Sequence, residues 1–119
     1  MKLREIVKEL ELKVRCDGNY LNKPVNGGYA SDLLSDVIAN AQKDDIWITL
    51  QTHQNIAGVA SLKELAGIII VNAREPEAET LQKAEKESIP VFSTSLPTFE
   101  IVGKLYQLGI RGTKNVKEV

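Results

Sequence analysis

The sequence predicts a three-layer α/β domain in which βα repeats surround a mainly parallel sheet. Apolar runs rich in β-branched residues occur at residues 46–50, 67–71 and 89–93, and such continuous runs are typical of strands buried on both faces of a parallel sheet. Amphipathic segments of helical period separate the runs. Their centres, together with a first strand near Val25, are about 22 residues apart, which is the size of one βα unit. This alternation predicts right-handed crossovers with helices on both faces of the sheet.

The N-terminal region predicts a helix followed by an edge strand. Apolar side chains recur at helical spacing over residues 3–10. Residues 12–16 alternate apolar and basic side chains, which predicts a strand with one face in water at the edge of the sheet. Pro24 suits the first residue of the next strand, because its missing N–H is harmless there.

Gly27 and Gly28 predict a loop between the first parallel strand and its helix. Glycine can take φ > 0 there, while Ser31 and Asp32 suit the N-cap and the first turn of the helix. In the functional interpretation, exposed N–H groups of this loop hold a small anion or polar ligand. In the structural interpretation, the glycines form an ordinary tight βα turn. The predicted apolar face of the helix consists of Leu33, Leu34, Val37, Ile38 and Ala41.

Three further helices are predicted downstream. The first begins after a polar loop, with Thr52 or Asn55 as its N-cap. The second begins near Pro76, which suits a first helical turn, and the third ends at Gly109. Their predicted inner faces are Ile56, Val59, Ala60 and Lys63 in the first, Ala78, Leu81 and Ala84 in the second, and Phe99, Val102, Leu105, Tyr106 and Leu108 in the third.

Composition and charge exclude several function classes. The chain has 119 residues, 43% of them hydrophobic, so we expect one domain over residues 1–110 and a polar, frayed tail over residues 111–119. The formal net charge of −1 and the aromatic content of 5% argue against nucleic acid and against an anionic membrane as partners. No apolar run reaches the roughly 20 residues of a membrane span. With no signal-type apolar core near the N-terminus, a cytoplasmic protein is expected.

One cysteine, one histidine and one tryptophan limit the chemistry. A single Cys16 excludes an internal disulfide and a cysteine-based zinc site, and a half-buried, unreactive thiol is expected. His53 has neither a second histidine nor an evident acidic partner, so the sequence predicts no metal site and no cofactor. We expect an exposed or structural histidine there, the alternative being a general base or anion ligand. Trp47 is expected beneath a helix, the alternative being an oligomer interface.

Ligands of parallel sheets bind beyond the carboxyl ends of the strands. That rule selects residues 26–31, 51–55, 72–75 and 93–98, which are rich in Asn, Gln, Ser and Thr and hold no carboxylate pair. A small phosphate-containing ligand or nucleotide at helix N-termini is the expected occupant, although the hydroxyls of the last loop could equally cap the last helix. The candidate ligand-binding residues are Asn26, Gly27, Gly28, Ser31, Gln51, Thr52, His53, Asn72, Ser93, Thr94 and Thr98.

Three stretches of the chain carry a family resemblance. They are Gly28-Tyr29-Ala30-Ser31, Ala66-Gly67-Ile68-Ile69-Ile70, and Ile89-Pro90-Val91-Phe92-Ser93-Thr94 followed by Thr98-Phe99-Glu100. Over roughly residues 3–109 the chain resembles a DRTGG domain, and therefore the N-terminal domain of HPr kinase/phosphorylase. The resemblance implies a fold of that type. It also implies a regulatory or partner-binding role, since the family's members stand beside catalytic or nucleotide-sensing domains, for example in phosphate acetyltransferases and some inorganic pyrophosphatases.

The family's two signature segments carry other residues in this chain. The Gly-Asp-Arg segment corresponds to Gln51-Thr52-His53, and the Thr-Gly-Gly segment to Val71-Asn72-Ala73. The resemblance therefore implies a different ligand, or a weakly bound one.

No phosphoryl-transfer machinery is predicted. The only Gly-Lys pair, Gly103-Lys104, precedes Leu105 within a predicted helix, so the chain has no P-loop and no kinase activity is expected. We expect a non-enzymatic regulatory module, the alternative being a small enzyme with His53 as its base. A symmetric homodimer is also expected, since residues 12–16 present an exposed strand edge.

Overall fold

The structure is a computed structural model that describes residues 1–113, and it places a five-stranded sheet between two layers of helices. The strands are β1 (Lys13–Cys16), β2 (Gly27–Ala30), β3 (Asp45–Thr49), β4 (Gly67–Ile70) and β5 (Val91–Ser93). The helices are α1 (Leu3–Glu9), α2 (Leu34–Asn40), α3 (Asn55–Leu62), α4 (Ala78–Glu87) and α5 (Thr98–Gln107), with a 3₁₀ turn at Tyr20–Asn22. The strand order is β1-β5-β4-β3-β2, and among the strands formed by residues 1–113 only the β1–β5 pair is antiparallel. The predicted fold class is confirmed.

Strands β3 and β4 form the centre of the sheet because both of their faces are buried. All five residues of β3 and all four of β4 are buried, and their β-branched side chains suit a pleated surface packed on each side. Helices α1 and α5 cover one face through Leu3, Ile6, Ile101 and Leu105. Helices α2, α3 and α4 cover the other face, which gives the three predicted layers.

Two single residues lie where the sequence predicted them. Trp47 is fully buried on the face covered by α2, α3 and α4, and its indole Nε1 donates a hydrogen bond to the Ser31 carbonyl oxygen at 2.8 Å. Cys16 is half-buried at the end of β1. Burial raises the pKa of the Cys16 thiol above its ordinary value, which lowers the thiolate fraction and with it the reactivity.

The two glycines at positions 27 and 28 form strand β2 itself, so the prediction of a glycine loop there is wrong. Gly27 pairs with Asp45 of β3 in parallel register. A Cβ on Gly27 would lie 2.8 Å from Asp45 Oδ1 and 3.2 Å from Thr113 Cα. Close packing, and not a positive φ, is therefore what requires glycine at this position. Val25 precedes the strand and does not lie at its centre.

The helix starts also differ from prediction. Leu33 occupies the N-cap of α2, and the Ser31 hydroxyl instead accepts a hydrogen bond from the Leu33 N–H at 3.2 Å. Asp32 accordingly lies before the helix and not in its first turn. Neither of the two predicted residues caps α3, whose N-cap is Gln54.

The predicted inner face of α3 is correct except for Lys63, which is half-buried at the C-cap, and those of the other helices are mixed. Each predicted face of α2, α4 and α5 contains residues that the structure exposes to solvent. These exposed residues are Leu33, Ile38, Ala78, Phe99, Val102 and Tyr106. Thr80 of α4 and Ile101 of α5 are buried in addition to the predicted residues.

Gly109 ends α5 as predicted, with a left-handed φ of +99°. The chain then runs beside β2, where the Gly28 N–H donates to the Arg111 carbonyl oxygen at 2.9 Å and Gly28 forms a parallel bridge with Gly112. The first residues of the predicted frayed tail thus bind the sheet. Residues 114–119 of that tail lie outside the described residues.

Candidate functional site

The loops that follow the four parallel strands meet at one edge of the sheet. The strands end level with one another, because Ala30 pairs with Ile48, and Ile70 pairs with both Thr49 and Ser93. The four loops comprise residues 31–33, 50–54, 71–77 and 94–97. We call this the carboxyl edge. In parallel sheets such an edge is the usual place for a ligand.

Asp32 joins the ends of β2 and β3. Its Oδ1 accepts a hydrogen bond from the Thr49 hydroxyl at 2.9 Å and a second from the Leu50 N–H at 2.7 Å. The Gln51 side-chain amide donates to the Asp32 carbonyl oxygen at 2.9 Å. Asp32 thus links the loop after β2 to the loop after β3.

Ser31 faces the first turn of α2. Hydrogen bonds from Ser31 and Tyr29, and a third from Asn40, hold the pKa of the Asp36 carboxyl group below its ordinary value. The Tyr29 hydroxyl donates to Asp36 Oδ1 at 2.8 Å. This side of the carboxyl edge therefore carries a stable negative charge.

Thr52 links the β3 loop to α4, whereas His53 stands exposed. The Thr52 carbonyl oxygen accepts bonds from the Glu77 N–H at 3.1 Å and the Thr80 hydroxyl at 2.6 Å. His53 Nδ1 accepts a bond from the Asn55 N–H at 3.2 Å.

The loop after β4 contains two successive residues in the left-handed region, Asn72 at φ +63° and Ala73 at φ +58°. Their N–H groups donate to the carbonyl oxygens of Leu96 and Thr94, each at 2.9 Å. These bonds tie the β4 loop to the β5–α5 loop. Left-handed backbone is rare for alanine and is sustained only when its surroundings enforce it.

The antiparallel strand β1 adds a cation to this side of the carboxyl edge. Arg15 Nε donates to the Ser93 hydroxyl at 2.9 Å, and the guanidinium forms an ion pair with Glu75 of the β4 loop. Thr94 Oγ1 accepts a bond from the Leu96 N–H at 3.2 Å. The side chains of Ser93 and Thr94 therefore already hold structural partners.

Three helices point their N-termini at the carboxyl edge, since α3, α4 and α5 each follow one of its loops. In α3 the His53 side chain and backbone carbonyl oxygens already accept the first N–H groups, whereas in the described part of the chain no side chain caps the first turn of α4 or α5. Thr98 is the first residue of α5 and is half-buried. Free N–H groups of α4 and α5, and the positive ends of three helix dipoles, thus face the same region.

The structure brings most of the predicted site residues together but separates three of them. Ser31, Gln51, Thr52, His53, Asn72, Ser93, Thr94 and Thr98 lie on the carboxyl edge or the loops that form it. Asn26 lies at the opposite edge, where its N–H donates to the Asp44 carbonyl oxygen at 3.0 Å. Gly27 and Gly28 lie within β2, so the placement of all three at the strand-end loops is wrong.

Three charged residues of the carboxyl edge are absent from the candidate site residues, although one of them, Glu75, lies in the predicted loop 72–75. The sequence places Asp32 in the first turn of a helix, and no local pattern shows that it instead bonds the end of β3. Arg15 and Glu75 meet only because β1 pairs antiparallel with β5, and the strand order is not readable from the sequence. Among residues 1–113, no group of three His, Cys, Asp or Glu side chains is placed to hold a metal ion. Nor does this part of the chain contain a helix of the length and apolarity that a membrane crossing requires.

Fold and site together define the class: a three-layer α/β domain whose polar loops and uncapped helix N-termini collect at the carboxyl edge of a mainly parallel sheet. The chain belongs to the DRTGG domain family, whose family model matches residues 5–108. The predicted resemblance is confirmed.

A solved structure has the same fold. It is the crystal structure of the CBS and DRTGG domains of the regulatory region of Clostridium perfringens pyrophosphatase, complexed with the activator diadenosine tetraphosphate. It is similar to this chain with a TM-score of 0.70 at 15% sequence identity, and the match covers 98% of this chain and 52% of that one. The chain thus spans about half the length of that regulatory region. No curated protein matches the chain.

Proposed function

We propose that this protein is a non-catalytic regulatory module that senses a small phosphate-containing ligand, such as a nucleotide, at the carboxyl edge. The observation that carries the proposal is the convergence of three helix N-termini, of which two, those of α4 and α5, have no capping side chain among the described residues. Unpaired N–H groups and helix dipoles favour an anion at such a place. An anion bound there would satisfy donors that the protein itself leaves open.

The α4–α5 side of the carboxyl edge carries charges of both signs. Arg15 and Arg74 lie near the β4 loop, whereas Glu79 and Glu100 lie in the first turns of α4 and α5. Glu75 already neutralises part of the Arg15 charge. Because the first turn of α5 has no capping side chain, we expect phosphate groups near that turn and the loop of residues 94–97. The family supports a regulatory role, since the similar pyrophosphatase region is itself regulatory and was crystallised with a nucleotide activator.

The test is a nuclear magnetic resonance titration with AMP, ADP, ATP and diadenosine tetraphosphate, with adenosine as the control that lacks phosphate. Shifts confined to residues 31–33, 50–54, 71–77 and 94–98 would support the proposal, and they should require phosphate. Absence of shifts at millimolar ligand, or shifts elsewhere, would contradict it. Release of phosphate from ATP that His53→Gln abolishes would favour the alternative, a small enzyme.

A pair of variants tests the electrostatic reason. Ser95→Glu places a negative charge in the exposed loop before α5, whereas Gln82→Glu adds the same charge on the exposed face of α4. We expect the first to weaken phosphate binding by roughly tenfold or more, which is the size of the coupling between close charges. The second should leave binding unchanged. Equal effects of both substitutions would show that net charge, and not this site, governs binding.

A further inference from the structure

Helix α5 presents an apolar stripe to solvent. The stripe consists of Phe99, Val102 and Tyr106, whose exposed fractions are 86%, 36% and 54%. The three residues stand at i, i+3 and i+7, so they share one face of the helix, while Ile101 and Leu105 point into the core on another. A nearly fully exposed phenylalanine beside two further apolar residues is typical of an interaction surface.

A groove lies beside the α5 stripe. It is lined by Gly28, Ala30 and Ile48 of the sheet and by Val102 and Tyr106 of the helix, and its volume is about 130 Å³. The groove exists because β2 carries a glycine and an alanine on the face toward α5, where larger side chains would fill the space. An apolar cavity of roughly 150 Å³ can take a benzene ring, so the groove matches one aromatic side chain in size.

The two ends of this surface carry opposite charges. Glu100 follows Phe99 at the start of α5. Arg111 lies at the other end, with its guanidinium carbon 4.1 Å from the centre of the Tyr106 ring and its Nη1 donating to the Tyr106 carbonyl oxygen at 2.8 Å. Between the two ends, Gly103 has no atom within 4 Å of the position that a Cβ would take. A second helix can therefore approach closely at that point.

We propose that this surface binds a second copy of the chain across a two-fold axis, with the two α5 helices antiparallel and crossing near Gly103. In a two-fold interface the same surface patch of both protomers is in contact, so every contact between the protomers occurs twice. Phe99 of each protomer then enters the groove beside Tyr106 of its partner. The same rotation brings Glu100 near the partner's Arg111, which makes the charges complementary. This interface differs from the strand edge at residues 12–16 that the sequence suggested.

Sedimentation of the full chain across micromolar concentrations tests the proposal. We expect a dimer for the wild type and a monomer for Phe99→Glu, with a dissociation constant raised roughly thirtyfold or more, as for a central aromatic hot spot. Two controls carry the same change at other exposed apolar residues, Leu62→Glu on α3 (68% exposed) and Val14→Glu on β1 (42% exposed). Both controls should remain dimeric.

A charge exchange provides the second test. Glu100→Arg and Arg111→Glu should each weaken the dimer, and the double variant should restore it to near the wild-type dissociation constant. A monomeric wild type at high micromolar concentration would overturn the proposal. So would a dimer that survives Phe99→Glu, one that Val14→Glu abolishes instead, or a double variant as weak as both single ones. Because Phe99 is exposed, its substitution should leave the melting temperature unchanged when both proteins are measured at concentrations where they are monomeric.

Discussion

Replacing Asp32 by alanine should destabilise the fold more than any ordinary surface substitution. Asp32 Oδ1 accepts bonds from the Thr49 hydroxyl and the Leu50 N–H. Hydrogen bonds to a charged group contribute roughly 1.5–3 kcal/mol each. Water can replace the lost partner of Leu50, but Thr49 is 1% exposed, so its hydroxyl would keep the bond that it accepts from the Gln51 N–H and lose the acceptor for its own proton. We therefore expect the free energy of unfolding to fall by about 3 kcal/mol.

Urea unfolding followed by Trp47 fluorescence measures this change, since Trp47 is buried and bonded to the same loop. Asp32→Asn keeps an acceptor oxygen and should lose only about 1 kcal/mol. Glu9→Ala, an exposed acid at the end of α1, should stay within about 0.5 kcal/mol of the wild type. A similarly small loss for Asp32→Ala, at an unchanged dependence on urea, would refute the structural role assigned to this carboxylate.

Three further predictions concern single side chains. Ala73→Gly should raise the free energy of unfolding by about 1 kcal/mol in urea titrations, because a left-handed backbone is unfavourable for alanine. A lower free energy of unfolding would contradict the inference that Ala73 is strained. His53→Gln should change stability by no more than about 0.5 kcal/mol, and a larger loss on calorimetry would give the imidazole a structural role. Burial raises the pKa of Asp45 above its ordinary value, so the folded state holds this proton more tightly than the unfolded chain. The contribution of Asp45 to stability should therefore be full below the unfolded pKa of about 3.9 and be lost as pH rises through the folded pKa. Asp45→Asn should remove this loss from the pH profile of the free energy of unfolding, and identical profiles for both proteins would contradict the prediction.

The sequence was sufficient for the fold because the central strands carry a redundant signal. Residues 46–50 and 67–71 are apolar on both faces, and only a parallel sheet covered on each side buries such runs. The prediction of a loop at Gly27 and Gly28 was wrong for the opposite reason. Glycine signals a loop by its conformational freedom, but Gly27 is required by the close approach of Asp45 and Thr113. That approach is a tertiary fact, and no local pattern reveals it.

The inner face of α5 was misjudged because the helix has two apolar stripes. Periodicity detects a helix whenever apolar residues recur at its spacing, but it cannot tell which of two stripes faces the sheet. The structure buries Ile101 and Leu105 and leaves Phe99 and Tyr106 in solvent. The sequence therefore shows that α5 has more apolar residues than one buried face requires. Only the structure shows which of them are exposed.

The loop after β4 keeps a left-handed backbone although it lacks the glycines of the family's signature segment. The resemblance places the family's Thr-Gly-Gly segment on Val71-Asn72-Ala73, where the structure has two successive left-handed residues. Glycine would adopt that backbone freely, whereas alanine does so at a cost of roughly 1–2 kcal/mol. The N–H groups of both residues bond the loop before α5, and these bonds offset the cost. The loop conformation is thus maintained without glycine, because it joins two strand ends and fixes the start of α5. On the proposed function, that start is where a phosphate would bind.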